Sequence, residues 1–220
     1  MSTAFAPGKC ILFGEHAVVY GHPAVAVSID SGVEITIEES EDWEINNQYN
    51  TDGYEKFNPK KHPHIQHIIR NLFNYEGKPL RINVQSNLFS GAGLGSSAAL
   101  SNAMGAALHQ FTKPGKEIDL IKLSKIGHSA EAATQEGRAS PTDSAASSLG
   151  GCVVVSGERI DTLEHVFDTS LVTPEGKRSW SIHHAELHKN INQSWLVLGF
   201  TGQSSPTGKM VSGVAERLKQ

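Results

Sequence analysis

The 220-residue chain is 38% hydrophobic and 19% charged, enough to bury a substantial core in one large domain or one and a half ordinary ones. Its formal charge of −4 and pI near 6.2 give no electrostatic case for nucleic acid or an anionic membrane. No run approaches the roughly eighteen apolar residues of a membrane span or the layout of a secretion signal. Cys10 and Cys152, far apart in apolar surroundings, read as reduced thiols, so a cytoplasmic location is expected.

Two short apolar runs, Cys10 to Phe13 and Ala24 to Ile29, are bounded by turn residues and read as strands. Val33, Ile35 and Ile37 then alternate with Glu34, Thr36 and Glu38, the pattern of a strand with one wet face. Lys9 immediately precedes the first of these runs, and Glu15 and His16 fall between the two. They read either as a salt-bridged turn or as a functional cluster, because ionisable groups between apolar strands must be paired or partly buried.

Residues 39–62 are polar and rich in turn signals, which predicts a loop or hairpin excursion. From His64 the spacing of Ile65, Ile68, Ile69, Leu72 and Phe73 predicts an amphipathic helix. His62, His64 and His67 lack a neighbouring carboxylate or cysteine and read as solvated histidines rather than a metal centre. His184 and His188 are four apart, but Glu186 is one place off the H-E-x-x-H pattern, so they too read as surface.

Leu80, Ile82 and Val84 form a strand that delivers the chain to Gly91-Ala92-Gly93-Leu94-Gly95-Ser96-Ser97. Three alternate glycines remove side chains from the backbone, so N–H groups can converge on an anion. The predicted helix from Ser97 to Phe111 aims its positive dipole end at the same place, and a polyphosphate is the natural occupant. Ser96 and Ser97 can cap that helix or coordinate a phosphate-bound Mg²⁺. The plain alternative is a tight strand-to-helix turn with serine caps. A P-loop would need Lys and then Ser or Thr after Gly95, and a dinucleotide fold would need an acid near position 111, which is Phe111.

Leu100, Met104, Leu108 and Phe111 make a core stripe on this helix. A second helix is predicted from Glu117 to Thr134, with Leu120, Leu123, Ile126 and Gly127 inward and Glu131 near its end. Ser140-Pro141-Thr142-Asp143 starts a short helix, in which Asp143 reads as a dipole-favoured first-turn acid or as a functional carboxylate. Cys152 to Val155 is a buried strand, residues 157–193 are mixed and polar, Trp195 to Phe200 reads as another buried strand, and Thr207 to Gln220 as a helix.

Pro7-Gly8-Lys9 with Gly14-Glu15-His16, the Gly-x-Gly-Leu-Gly-Ser-Ser-Ala-Ala loop and Ser-Pro-Thr-Asp together resemble the GHMP small-molecule kinases. The run from Ala6 to Gly21 is similar to their mevalonate kinase branch in particular, and galactokinase-like His-Thr-Asp-Tyr is absent. The resemblance implies an α+β fold: a ribosomal-S5-domain-2-like N-terminal kinase domain, residues 1–185, and the start of a ferredoxin-like C-terminal domain, residues 186–220. It implies ATP and Mg²⁺ as cofactors and mevalonate as the small-molecule substrate, phosphorylated on its 5-hydroxyl; phosphomevalonate as acceptor, or nucleotide binding without turnover, are the alternatives.

By the same resemblance Asp143 is the catalytic carboxylate with Lys9 beside it. Gly91, Ala92, Gly93, Leu94, Gly95, Ser96 and Ser97 hold the ATP phosphates, and Ser97 and Glu131 hold the metal, with Glu136 the other acid near that position. Glu15, His16, Ser140 and Thr201 line the substrate pocket. The family's third, glycine-rich C-terminal motif does not occur before Gln220, which raises the expectation of a homodimer or of a partner chain supplying the rest of the second domain.

Overall fold

A computed structural model describes residues 1–15, 17–47, 53–89, 91–135, 137–173 and 176–202. Its framework is a mixed sheet whose longest strand is β2 (Ala24–Glu39). β2 pairs antiparallel with β1 (Ser2–Phe13), with β5 (Leu80–Ser86) through residues 33–39, and with β6 (Cys152–Ser156) through residues 24–27. The alternation read in the sequence is the reason: Val33, Ile35 and Ile37 are fully buried while Glu34 points to water. The two apolar runs are therefore the inner ends of longer strands.

The polar excursion is a small hairpin, β3 (Glu44–Asn47) with β4 (Glu55–Lys56), added to the sheet by parallel pairing of β3 with β5. At the other edge, β7 (Glu164–Thr173) and β8 (Gly176–His184) form an antiparallel pair joined to β6 through β8. The mixed, polar sequence of this region carries no clear strand signal, because β7 alternates only weakly and is exposed or half-buried along most of its length.

The helices are α1 (Pro63–His67), α2 (Ser96–Thr112), α3 (Leu120–Thr134) and α4 (Thr142–Leu149). α1 is shorter than expected because residues Ile68–Leu72 continue as a π-helical turn. α2 lies on the sheet with Met104 and Leu108 fully buried among Ile35, Ile37, Ile69 and Ile82. α3 begins at Leu120 rather than Glu117, since the Asp119 carboxylate accepts from the Ile121 N–H and caps it there. Leu120 is consequently exposed, not inward.

Three further expectations are corrected. Trp195 to Phe200 forms no strand and is exposed, with Trp195 at 93%, because no described strand lies beside it to take up its backbone groups. His64 and His67 are half-buried and bonded rather than solvated: His64 Nε2 lies 3.0 Å from Thr134 Oγ1 and His67 Nε2 3.2 Å from Ser129 Oγ, both on α3. His184 is likewise half-buried on β8, whereas His188 is exposed, as expected. The expected C-terminal helix, Thr207 to Gln220, lies outside the described residues.

Candidate active site

Lys9 owes its position to a break in β1. Ala4, Ala6 and Gly8 alternate inward, and the register against β2 shifts between Pro7 and Lys9, so that Lys9 is buried as well. A bulge of this kind re-aims one side chain, here a lysine that strict alternation would turn away. Gly8 packs against the glycine loop: a Cβ there would meet Leu94 O at 2.8 Å and Leu88 Cδ2 at 2.8 Å, while the Lys9 N–H donates to Leu94 O at 2.9 Å. Pro-Gly-Lys and the loop, eighty residues apart in the chain, are one structural unit.

The loop glycines do what the sequence requires of them. Gly91, Gly93 and Gly95 all have left-handed backbones, with φ of 69°, 74° and 70°. Gly95 is the N-cap residue of α2, and a Cβ on it would stand 2.7 Å from Lys9 Cγ. Among the described residues no side chain caps α2 at its Gly95 N-cap, so the capping foreseen as one use of Ser96 and Ser97 is not made. The Ser97 hydroxyl instead donates to Glu131 Oε1 at 2.5 Å.

The Lys9 ammonium lies 3.2 Å from Asp143 Oδ1, with side chains 3% and 27% exposed. Burial pushes the Asp143 carboxyl above its usual range, opposed by Lys9 and assisted by the negative charge of Glu15. Glu131 is pushed up to about 7, first by burial and then by Asp143, with the Ser97 hydrogen bond and Lys9 pulling the other way. Two inward carboxylates thus share a single ammonium. A hydroxyl and a carboxylate in contact are hard oxygen donors, so Ser97 and Glu131 suit a small divalent cation in chemistry and in charge.

The structure therefore gathers Lys9, the loop, Ser97, Glu131 and Asp143 at one end of α2, α3 and α4. Glu15 is exposed at the turn after β1, and its charge reaches Asp143. Ser140 donates to Thr142 Oγ1 at 3.2 Å, just before α4. Thr201 is exposed and follows Phe200, whose ring stacks on Phe89 at 5.7 Å, directly ahead of the loop. His16 and Glu136 lie outside the described residues. Gly8 enters the sequence reading only as part of the Pro-Gly-Lys motif; its missing side chain is what lets β1 touch the loop.

Residues 63–151 match the model of the GHMP kinases N terminal domain. The chain is 33% identical over 220 residues to the mevalonate kinase of Methanothermobacter thermautotrophicus, covering all of this chain and 63% of that protein. It is 26% identical to the mevalonate kinase of Pyrococcus furiosus, covering 99% and 62% respectively. The crystal structure of the Methanococcus jannaschii mevalonate kinase superposes with a TM-score of 0.61 at 29% identity, over 70% of this chain and 53% of that one. The chain spans under two thirds of the length of these curated relatives. Its mixed α+β architecture is the GHMP kinase fold, and residues 63–151 are similar to the N-terminal domain of that family.

Proposed function

We propose that this chain is the nucleotide-binding part of a cytoplasmic mevalonate kinase, transferring the γ-phosphoryl group of ATP to the 5-hydroxyl of mevalonate. The observation that carries the reading is the convergence of the Lys9–Asp143 pair, 3.2 Å apart, and the Ser97–Glu131 pair, 2.5 Å apart, beside a left-handed glycine loop. Relatives of the same fold are named mevalonate kinases, and the free state of Cys10 and Cys152 suits a reducing compartment.

In this reading the loop from Gly91 to Ser96 holds the ATP phosphates through backbone N–H groups, and Ser97 and Glu131 hold Mg²⁺. The ion supplies counter-charge to the phosphates when bound. Lys9 adds a second, fixed positive charge near the transferring group, where a loose transition state needs positioning and counter-charge more than covalent help. Asp143 orients the acceptor hydroxyl. With Oδ1 committed to Lys9, Oδ2, which accepts no hydrogen bond among the described residues, takes the hydroxyl proton late, and burial makes that carboxyl a better acceptor than an exposed one. Glu15, His16, Ser140 and Thr201 are assigned to the substrate pocket.

We assign residues 1–185 to the nucleotide-binding domain and residues 186–220 to the start of the second. The end of β8 at His184 and the exposed Trp195 to Phe200 support this division, and a second copy or a partner chain covering that stretch fits the same reading.

The test is ADP release by the full-length gene product with Mg²⁺, ATP and one acceptor at a time: mevalonate, phosphomevalonate, galactose or homoserine. Mevalonate-dependent ADP is expected. ADP formed only with another alcohol overturns the substrate, and ATP binding with no ADP from any acceptor overturns the enzyme in favour of a binding module.

A further inference from the structure

One helical turn below these groups, three helices meet at residues with no part in the proposed chemistry. Asn102 of α2 is fully buried, and its Nδ2 donates to the Ser144 carbonyl of α4 at 3.0 Å. The amide orientation follows from that acceptor, since only the NH₂ end can donate to a carbonyl. Asn102 Oδ1 is buried and accepts no hydrogen bond among the described residues. It points at Gly127 of α3, where a Cβ would stand only 2.2 Å away, and 3.0 Å from Ser144 Cβ.

Neither residue suits its place by local preference. Glycine is the poorest helix former after proline, and asparagine is among the weaker ones, yet both sit in helix interiors. A buried amide with one unpaired end is unfavourable where an apolar side chain of the same size would pack without loss. Their positions in the chain explain the choice. Asn102 follows Ser97 by five residues, Gly127 precedes Glu131 by four, and Ser144 is next to Asp143. Each helix that meets at this point carries one group of the site.

We propose that Asn102, seated against Gly127 and bonded to Ser144, is a positioning residue that fixes how Ser97, Glu131 and Asp143 face one another. Gly127 lets the amide lie between the helices, and the bond to the Ser144 carbonyl holds the first turn of α4 so that Asp143 meets Lys9. Where turnover is the readout, this rests on the kinase reading above; the arrangement of the site itself does not.

The experiment uses the full chain with Asn102→Leu, similar in volume and without a donor, and with Gly127→Ala, which keeps Asn102 but displaces its amide. The first readout is the ¹⁵N NMR signal of the Lys9 ammonium, which needs no ligand. It is expected to shift or broaden in both variants while their melting temperatures stay within a few degrees. The second is kinetics with ATP and mevalonate, where kcat is expected to fall ~10–100-fold with KM for ATP within about twofold. Combining Gly127→Ala with Asn102→Ala vacates the space the new methyl needs, so the pair is expected to be no worse than Asn102→Ala alone.

An unchanged Lys9 signal and kcat in folded Asn102→Leu, or simple additivity in the double variant, overturns the proposal. If Asn102→Leu does not fold, Gly127→Ala gives the same two readouts. A wild-type chain that never phosphorylates mevalonate, but whose Lys9 signal responds to Asn102, sinks the kinase reading and leaves the junction standing.

Discussion

The Lys9 ammonium reaches Asp143 Oδ1 at 3.2 Å across 134 residues of sequence, and its charge acts on both inward carboxylates of the site. Lys9→Met removes that charge and leaves Asp143 and Glu131 to repel each other. Glu131, pushed up to about 7, is mostly neutral at pH 5 and ionised at pH 8, so the loss of stability is expected to be smaller at pH 5 and larger at pH 8, read from melting temperatures. Turnover is expected to fall by about 10²–10³ at either pH. A variant melting alike at both pH values shows that Lys9 does not hold the carboxylates.

Gly95→Ala combines a left-handed backbone, φ 70°, with a Cβ 2.7 Å from Lys9 Cγ. Strain at such a residue amounts to about 1–3 kcal/mol, and the flexible lysine stem is the part that gives way. Lower denaturant midpoints and weaker ATP affinity are expected together. Gly115→Ala is the control, since its φ is 74° and a Cβ there meets nothing within 4 Å, so it carries strain without the clash. Equal loss of ATP affinity in both variants refutes the link to Lys9.

Glu131→Gln keeps an acceptor for the Ser97 hydroxyl and removes a buried charge. Metal-free stability near pH 8 is expected to hold or rise, because an ionised carboxyl in that position is disfavoured by burial. Mn²⁺ binding in the presence of ATP, measured by calorimetry, is expected to weaken. Ser97→Ala weakens it less, by loss of one neutral donor. Unaltered Mn²⁺ affinity in Glu131→Gln removes Glu131 from the metal site.

Acid stability is set in part by histidines. Burial lowers the pKa of His64, His67 and His128, and the His128 bond to Ala139 O at 3.1 Å only partly opposes this. Each is favoured neutral in the fold. Their contribution is therefore complete above the ordinary value of 6.5 and is lost as pH falls through the lower folded values. Urea midpoints are expected to drop between pH 7 and pH 5, with a shallower slope in His128→Gln. An unchanged slope in that variant assigns the effect to other groups.

Much of the architecture could be read from periodicity. The alternation at Val33, Ile35 and Ile37 predicted β2, and the stripe through Met104 and Leu108 predicted the buried face of α2. Lys9, Ser97 and Asp143 stood out from their local sequence, the family resemblance added Glu131, and folding does bring the four together. What stayed hidden was whatever depends on a neighbour distant in sequence. His64 and His67 look like surface histidines until α3 supplies Thr134 and Ser129. Trp195 to Phe200 reads as a buried strand, but apolar character only predicts burial where a surface exists to receive it, and among the described residues the stretch stays exposed, with Phe200 stacked on Phe89. Gly127 was legible as an inward position, while its reason for being glycine lies in the amide of Asn102 on another helix.

β2 is hydrogen-bonded to β1 along its length, to β5 at one end and to β6 at the other. One thread therefore stitches both flanks of the sheet, and neither flank can peel away without undoing it. Amide protons at Val33 to Ile37 should accordingly exchange with solvent only when the whole domain opens, so the slowest-exchanging segment of the chain would report its cooperativity directly.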